Sequence, residues 1–185
     1  MKTRALFNSY AYWNVLARLS DDDAARGHVQ QIARKTGLSA GMTSRVLREL
    51  ERMGMVDKEK SGNMHLYSLK PGYMTTEIKR VVFLAGLYDS GLVKNLLDQN
   101  EGIISIALYG SRARGDSMAG SDIDLLVIAP PSAAPDVAVP SKRTGLDINI
   151  TTLSTGEFLR RKKDDKPFYN EVLRNHILLY GSELP

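Results

Sequence analysis

Two aspartates, Asp122 and Asp124, stand one residue apart at the head of the apolar run Ile123-Asp124-Leu125-Leu126-Val127-Ile128. Ten residues separate this pair from Gly110-Ser111, which closes an earlier apolar run over residues 103–108. Side chains in a β-strand alternate between faces, so residues i and i+2 project from the same side. Two carboxylates held side by side repel each other, and in an apolar strand they cost stability unless a cation lies between them. Mg²⁺ is the simplest such cation, a hard ion that takes oxygen ligands and is often shared between carboxylates and substrate phosphates. Gly110 lets the backbone approach a ligand closely. Ser111 can cap a helix whose first amides offer hydrogen bonds to phosphate. Metal carboxylates beside a phosphate cradle are the equipment of phosphoryl or nucleotidyl transfer. The plain alternative is a surface turn with two solvated aspartates on an edge strand, and residues 125–128 speak against it because they mark a buried strand.

The elements that must position these groups can be read around them. Strands are expected over residues 103–108 and 122–129, with a short helix start over 111–116 between them. Residues 130–140, rich in Pro and Ala, read as a flexible loop. Leu146-Asp147-Ile148-Asn149-Ile150 alternates, with the isoleucines on one face and Asp147 and Asn149 on the other, which makes Asp147 the candidate third carboxylate. Ser154 and Glu157 have the spacing of a capping box and open a helix through Phe158 and Leu159. A last short strand covers 177–180. Arg112 and Arg114 flank the cradle, where either could pair with a triphosphate or simply be solvated. The run Arg160-Arg161-Lys162-Lys163 reads as a wet helix face.

Gly110-Ser111, ten residues, then Asp122-Ile123-Asp124 resembles the signature of the DNA polymerase β-like nucleotidyltransferases. Within them, the small size resembles the minimal nucleotidyltransferases of archaea and bacteria, over residues 101–185. The resemblance implies two Mg²⁺ ions on Asp122 and Asp124. It implies that Asp147 binds the ion that activates the attacking hydroxyl and takes up its proton. It also implies that Gly110 and Ser111, with Arg112 and Arg114 beside them, bind the β- and γ-phosphates of ATP. Attack at the α-phosphorus then releases pyrophosphate. No Rossmann glycine fingerprint, Walker lysine loop or Ser/His/Asp arrangement competes with this reading.

Upstream, the pattern changes. Helices are expected over residues 4–19, with Leu6, Tyr10, Trp13, Val15 and Leu16 on an apolar stripe, and over 29–36, with Val29, Ile32 and Ala33 inward. Asp21 to Asp23 mark a turn between them. Gly37 ends the second helix and Ser39 caps a third over 39–53, which is expected to bury Met42, Val46, Leu47 and Leu50. Strands over 55–58 and 64–69 follow, joined by Ser61-Gly62-Asn63. This order, with Ile32-Ala33-Arg34-Lys35-Thr36-Gly37-Leu38-Ser39, resembles a winged helix-turn-helix. The resemblance implies DNA contacts on the third helix. Thr43 and Ser44, near Ala40 and Gly41, would meet base edges, Arg45, Arg48 and Arg52 phosphates, and Lys58 and Lys60 the wing's share. A docking or dimerisation module built on the same fold is the alternative.

Pro71-Gly72 marks a boundary, followed by helices over 75–89, with Ile78, Val81, Val82, Ala85 and Tyr88 inward, and over 92–97. The expected fold is therefore α+β. It comprises a winged helix-turn-helix (1–72), a helical linker (73–100) and a nucleotidyltransferase fold (101–185) whose small mixed β-sheet is flanked by helices.

Charge follows this division. Residues 1–72 hold 12 Lys and Arg against 7 Asp and Glu, a net +5, whereas residues 73–185 hold 13 against 14, a net −1. A basic N-terminal third suits a nucleic-acid partner. The absence of cysteine excludes a disulfide framework and a zinc finger. His28, His65 and His176 lack ligand spacing. No run approaches the ~20 apolar residues of a membrane span, so a cytoplasmic protein is expected. The expected function is Mg²⁺-dependent transfer of AMP from ATP to a hydroxyl of a protein partner, in the manner of an antitoxin that modifies a HEPN-type ribonuclease toxin. That toxin would be a separate protein, since its Arg-x(4–6)-His signature does not occur in the chain. The alternative from another class is a transcriptional regulator that only senses nucleotide. The linker helices could also pair with another copy of the chain, giving a homodimer.

Overall fold

The computed structural model describes residues 9–20, 26–118, 120–130 and 135–185. The chain divides into two compact units, Met1–Val82 and Phe83–Pro185.

In the first unit α1 (Tyr10–Ser20) is followed by β1 (Arg26–Gly27), α2 (Val29–Thr36), α3 (Ala40–Arg52), β2 (Val56–Ser61) and β3 (Met64–Leu69). The strands form an antiparallel sheet in the order β1-β3-β2, and Gly62-Asn63 is the two-residue loop of the β2–β3 wing. This is the expected winged helix. The start of the first helix and the turn at 21–23 lie outside the described residues. Both ends of α2 fall where the sequence places them. The His28 side chain accepts from the Gln31 amide at 3.3 Å, and Gly37 ends the helix in the left-handed conformation.

The phase of α3 corrects one expectation. Its inward stripe is Thr43, Val46, Leu47 and Leu50, an i, i+3, i+4, i+7 set, whereas Met42 is exposed. Thr43 is fully buried, with its hydroxyl donating to the Ser39 carbonyl at 3.0 Å, so it does not face DNA. A threonine can sit inward because this backbone bond satisfies its only polar group. Ser44 is half-buried, and its carbonyl accepts from Arg48 Nε at 3.3 Å. Arg45, Arg48 and Arg52 are exposed along α3, Arg45 pairing with Glu49 at 3.3 Å, and Lys58 and Lys60 are exposed on β2. In α1 the expected Tyr10 is likewise exposed, and Ala11, Val15, Leu16 and Leu19 are buried.

The long helix α4 (Tyr73–Ser90) gives Ile78 and Val82 to the first core and Phe83, Leu84 and Leu87 to the second. Val81, Ala85 and Tyr88, expected inward, are exposed. The second unit continues with α5 (Leu92–Gln99), β4 (Ser105–Tyr109), α6 (Gly110–Arg114), β5 (Ile123–Ile128), α7 (Ala138–Thr144), β6 (Ile148–Leu153), α8 (Thr155–Asp164), α9 (Lys166–Asn175) and β7 (Ile177–Gly181). The expected loop over 130–140 thus already contains the first turn of α7, with Pro140 buried; residues 131–134 lie outside the described ones. Proline suits a first helical turn, where no internal partner for its missing N–H is needed.

The sheet order is β6-β5-β4-β7, with β4 antiparallel to both β5 and β7 and β5 parallel to β6. It is the small mixed sheet the sequence predicts. One face packs through Ile106, Leu108, Ile123, Leu125 and Val127 against α5. The other packs through Leu126, Ile128 and Leu153 against Phe158 of α8 and Tyr169 and Val172 of α9.

Candidate active site

Strand β5 fixes the two aspartates by parity. Its odd positions enter one core and Leu126 and Ile128 enter the other, so Asp122 and Asp124 belong to the face covered by α8 and α9. They lie at the start of the strand, and both are half-buried. Behind them β5 is almost wholly excluded from solvent, so their backbone is held by the core and not by a loop.

The Gly-Ser pair meets them directly. Tyr109, the last residue of β4, is the register partner of Asp124, and the chain then turns at Gly110, whose φ is +73°. A Cβ built on Gly110 would stand 2.5 Å from Asp124 Oδ2. The left-handed backbone favours glycine there, and any side chain would displace the Asp124 carboxylate. Ser111, half-buried, lies inside the first turn of α6 and not at its cap. The cap position is Tyr109, whose side chain makes no capping hydrogen bond.

On the other side, the parallel register pairs Asp124 with Asn149, and the Ile123 amide donates to the Asp147 carbonyl at 2.8 Å. The Asn149 amide bridges the acidic pair, Nδ2 donating to Asp122 Oδ2 at 3.0 Å and to Asp124 Oδ1 at 3.2 Å. Asp147 stands on the same face, just before β6, and is exposed. Among the described residues no three His, Cys, Asp or Glu side chains are grouped closely enough to share a metal ion. The structure thus brings together Asp122, Asp124 and Asn149, with Asp147 apart from that contact. Sequence reasoning gave Asn149 no role, although its parity with Asp147 was the signal that could have found it.

The two arginines of α6 are occupied elsewhere. Arg112 is 7% exposed, lies 4.8 Å over the Phe83 ring, and donates to the Ser121 carbonyl from Nε at 3.3 Å and Nη2 at 2.8 Å. It is not a solvated cation, and it holds the loop that delivers Asp122. Arg114 bonds Asp116 at 3.1 Å and Glu171 of α9 at 2.7 Å, fastening α6 to α9; these carboxylates hold its guanidinium firmly protonated. Tyr109 completes the wall. Its ring meets Phe168 edge-on at 5.6 Å, and its hydroxyl lies 3.5 Å from Thr151 Oγ1. Burial, with the Asp124 and Glu171 charges, pushes its pKa up, so the phenol stays neutral beside the acidic pair.

The donor set suits a hard divalent cation. It offers carboxylate oxygens from two residues on one face, an amide that can present oxygen, and a glycine wall that leaves Asp124 Oδ2 room.

Residues 92–183 match the family model described as polymerase beta, nucleotidyltransferase. The C-terminal half is similar to the polymerase β nucleotidyltransferases. Residues 9–63 match the MarR family, so the nucleotidyltransferase domain is joined to a MarR-type winged helix. Two solved structures are similar at low identity. One, described as a toxin-antitoxin with AMP-PNP, is 19% identical with a TM-score of 0.37, over 51% of this chain and 75% of that one. The other, a candidate nucleotidyltransferase from Sulfolobus solfataricus, is 18% identical with a TM-score of 0.35, over 60% and 90%. No curated protein matches the chain. No described helix is long and apolar enough to cross a membrane.

Proposed function

We propose that the nucleotidyltransferase domain transfers AMP from ATP to a hydroxyl of a partner protein with the help of Mg²⁺, and that the winged helix binds DNA. The observation that carries the transferase reading is the contact between its two motifs, Gly110 set against Asp124 on a strand whose Asp122 shares the same face. Asp122 and Asp124 hold the metal, which when bound neutralises triphosphate charge and lowers the barrier to attack at the α-phosphorus. Ser111 and the amides that follow Gly110 receive the β- and γ-phosphates. Asp147, exposed at the entry to β6, takes the proton of the acceptor hydroxyl as it attacks, and pyrophosphate leaves. The acceptor is a separate protein, in keeping with an antitoxin that modifies its HEPN-type toxin and binds DNA through its second domain.

The test is transfer of α-labelled ATP, with Mg²⁺, to the product of the neighbouring gene. Label is expected on the partner. Replacing Asp122 and Asp124 by alanine should reduce it by at least about 10²–10³-fold, the cost of removing one preorganised electrostatic group. ATP binding without transfer to any acceptor would leave a nucleotide-sensing regulator instead.

A further inference from the structure

We propose that Asn149 is a metal ligand whose amide stands in for the cation in the metal-free protein. The inference deepens the metal-dependent reading above and rests on it. One NH₂ group donates to an oxygen of each aspartate, at 3.0 and 3.2 Å, in the place where positive charge best relieves their repulsion. The two ends of an amide are nearly equal in size and opposite in hydrogen-bonding sense. A half-turn about the terminal torsion exchanges donor for acceptor without moving the backbone. That turn brings Oδ1, an ordinary hard-oxygen ligand, to the same point between Asp122 and Asp124. Asn149 is free to make it because its side chain is exposed on β6, the edge strand of the sheet, and is not packed in either core. Register keeps it there, since it is the residue of β6 paired with Asp124.

A purely structural asparagine, one that pins the carboxylates with its N–H groups and competes with the ion, predicts the opposite sign. Mn²⁺ binding to the full chain, measured by titration calorimetry, separates the two. Asn149→Ala is expected to weaken Mn²⁺ about tenfold, the lower end of what metal-site partners contribute. Asn149→Asp should melt at a lower temperature in EDTA, with three carboxylates converging. It should bind Mn²⁺ at least as tightly as the native chain and show the larger metal-induced rise in melting temperature. Equal or tighter Mn²⁺ binding by Asn149→Ala, whatever its melting temperature, overturns the role of Asn149 alone. A native chain that binds no Mn²⁺ overturns the metal-dependent reading together with it.

Discussion

A Cβ on Gly110 would meet Asp124 Oδ2 at 2.5 Å on a backbone at φ +73°, so a single added methyl group there is aimed at the site's acidic pair. Gly110→Ala is expected to lose about 1–2 kcal/mol from the left-handed backbone alone and to push Asp124 away from Asn149. Denaturant unfolding reads the first effect and loss of Mn²⁺ affinity the second. The sequence showed Gly110, Asp122 and Asp124 because chemistry-bearing residue types at fixed spacing survive without a structure. It did not show what Arg112 does. A cation next to a phosphate cradle looks like a phosphate partner, and only the fold reveals that the Ser121 carbonyl and the Phe83 ring already hold it. Asn149 was overlooked for the converse reason, since a neutral amide acquires meaning only when its two acidic neighbours are placed beside it.

Among the elements, those with chemical end signals were legible and those defined by packing were not. Helix α8 opens with the expected capping box, the Ser154 side chain accepting from the Glu157 amide and Glu157 accepting from the Ser154 amide at 2.8 Å. The Ser154 hydroxyl, donating to Glu157 Oε2 at 2.6 Å, and then the Ser154 amide hold the Glu157 carboxyl below the usual glutamate range. A depressed carboxylate pKa stabilises the fold above the unfolded value and loses that contribution as pH falls through the folded one. The melting temperature should therefore drop between about pH 4.3 and the lower folded pKa, and Glu157→Gln, which keeps the cap but cannot ionise, should flatten that drop. Ser154→Ala is expected to cost about 0.5–2 kcal/mol at neutral pH, measured by thermal or urea unfolding. In helix α3 Val46, Leu47 and Leu50 are buried as expected, and only the first position was misread, Met42 being apolar and Thr43 polar, while packing prefers the unbroken i, i+3, i+4, i+7 stripe. Helix α4 was misread for a related reason: it serves two cores, so its apolar residues do not lie on one stripe.

For the molecule as a whole, the charge asymmetry follows the division of labour. The residues that carry the basic excess include Arg45, Arg48 and Arg52, exposed along α3, and Lys58 and Lys60 on the wing. Phosphate contacts release counterions, so each one adds to the salt dependence of binding. Replacing any one of the three arginines by alanine should weaken binding to duplex DNA across all sequences and reduce the slope of log affinity against log salt by about one, measured by fluorescence anisotropy. Thr43→Ala, by contrast, should leave DNA affinity unchanged and lower stability, because its hydroxyl is buried against the Ser39 carbonyl. The two-domain order was legible because the helical period gives way twice to the strand period, at the wing and again at β4.

Strand β6 is an outer strand of its sheet, and Asn149 on it and Asp147 just before it are exposed. A reacting centre at such a margin is open to a partner as bulky as a folded protein, and for the same reason it is open to water. ATP bound there should leak: without acceptor the protein is expected to release AMP and pyrophosphate slowly, an idle turnover detectable by chromatography. A true acceptor, once docked, should stop the leak by sealing the open side. Suppression of that hydrolysis therefore offers a screen for the partner that works whichever hydroxyl is modified.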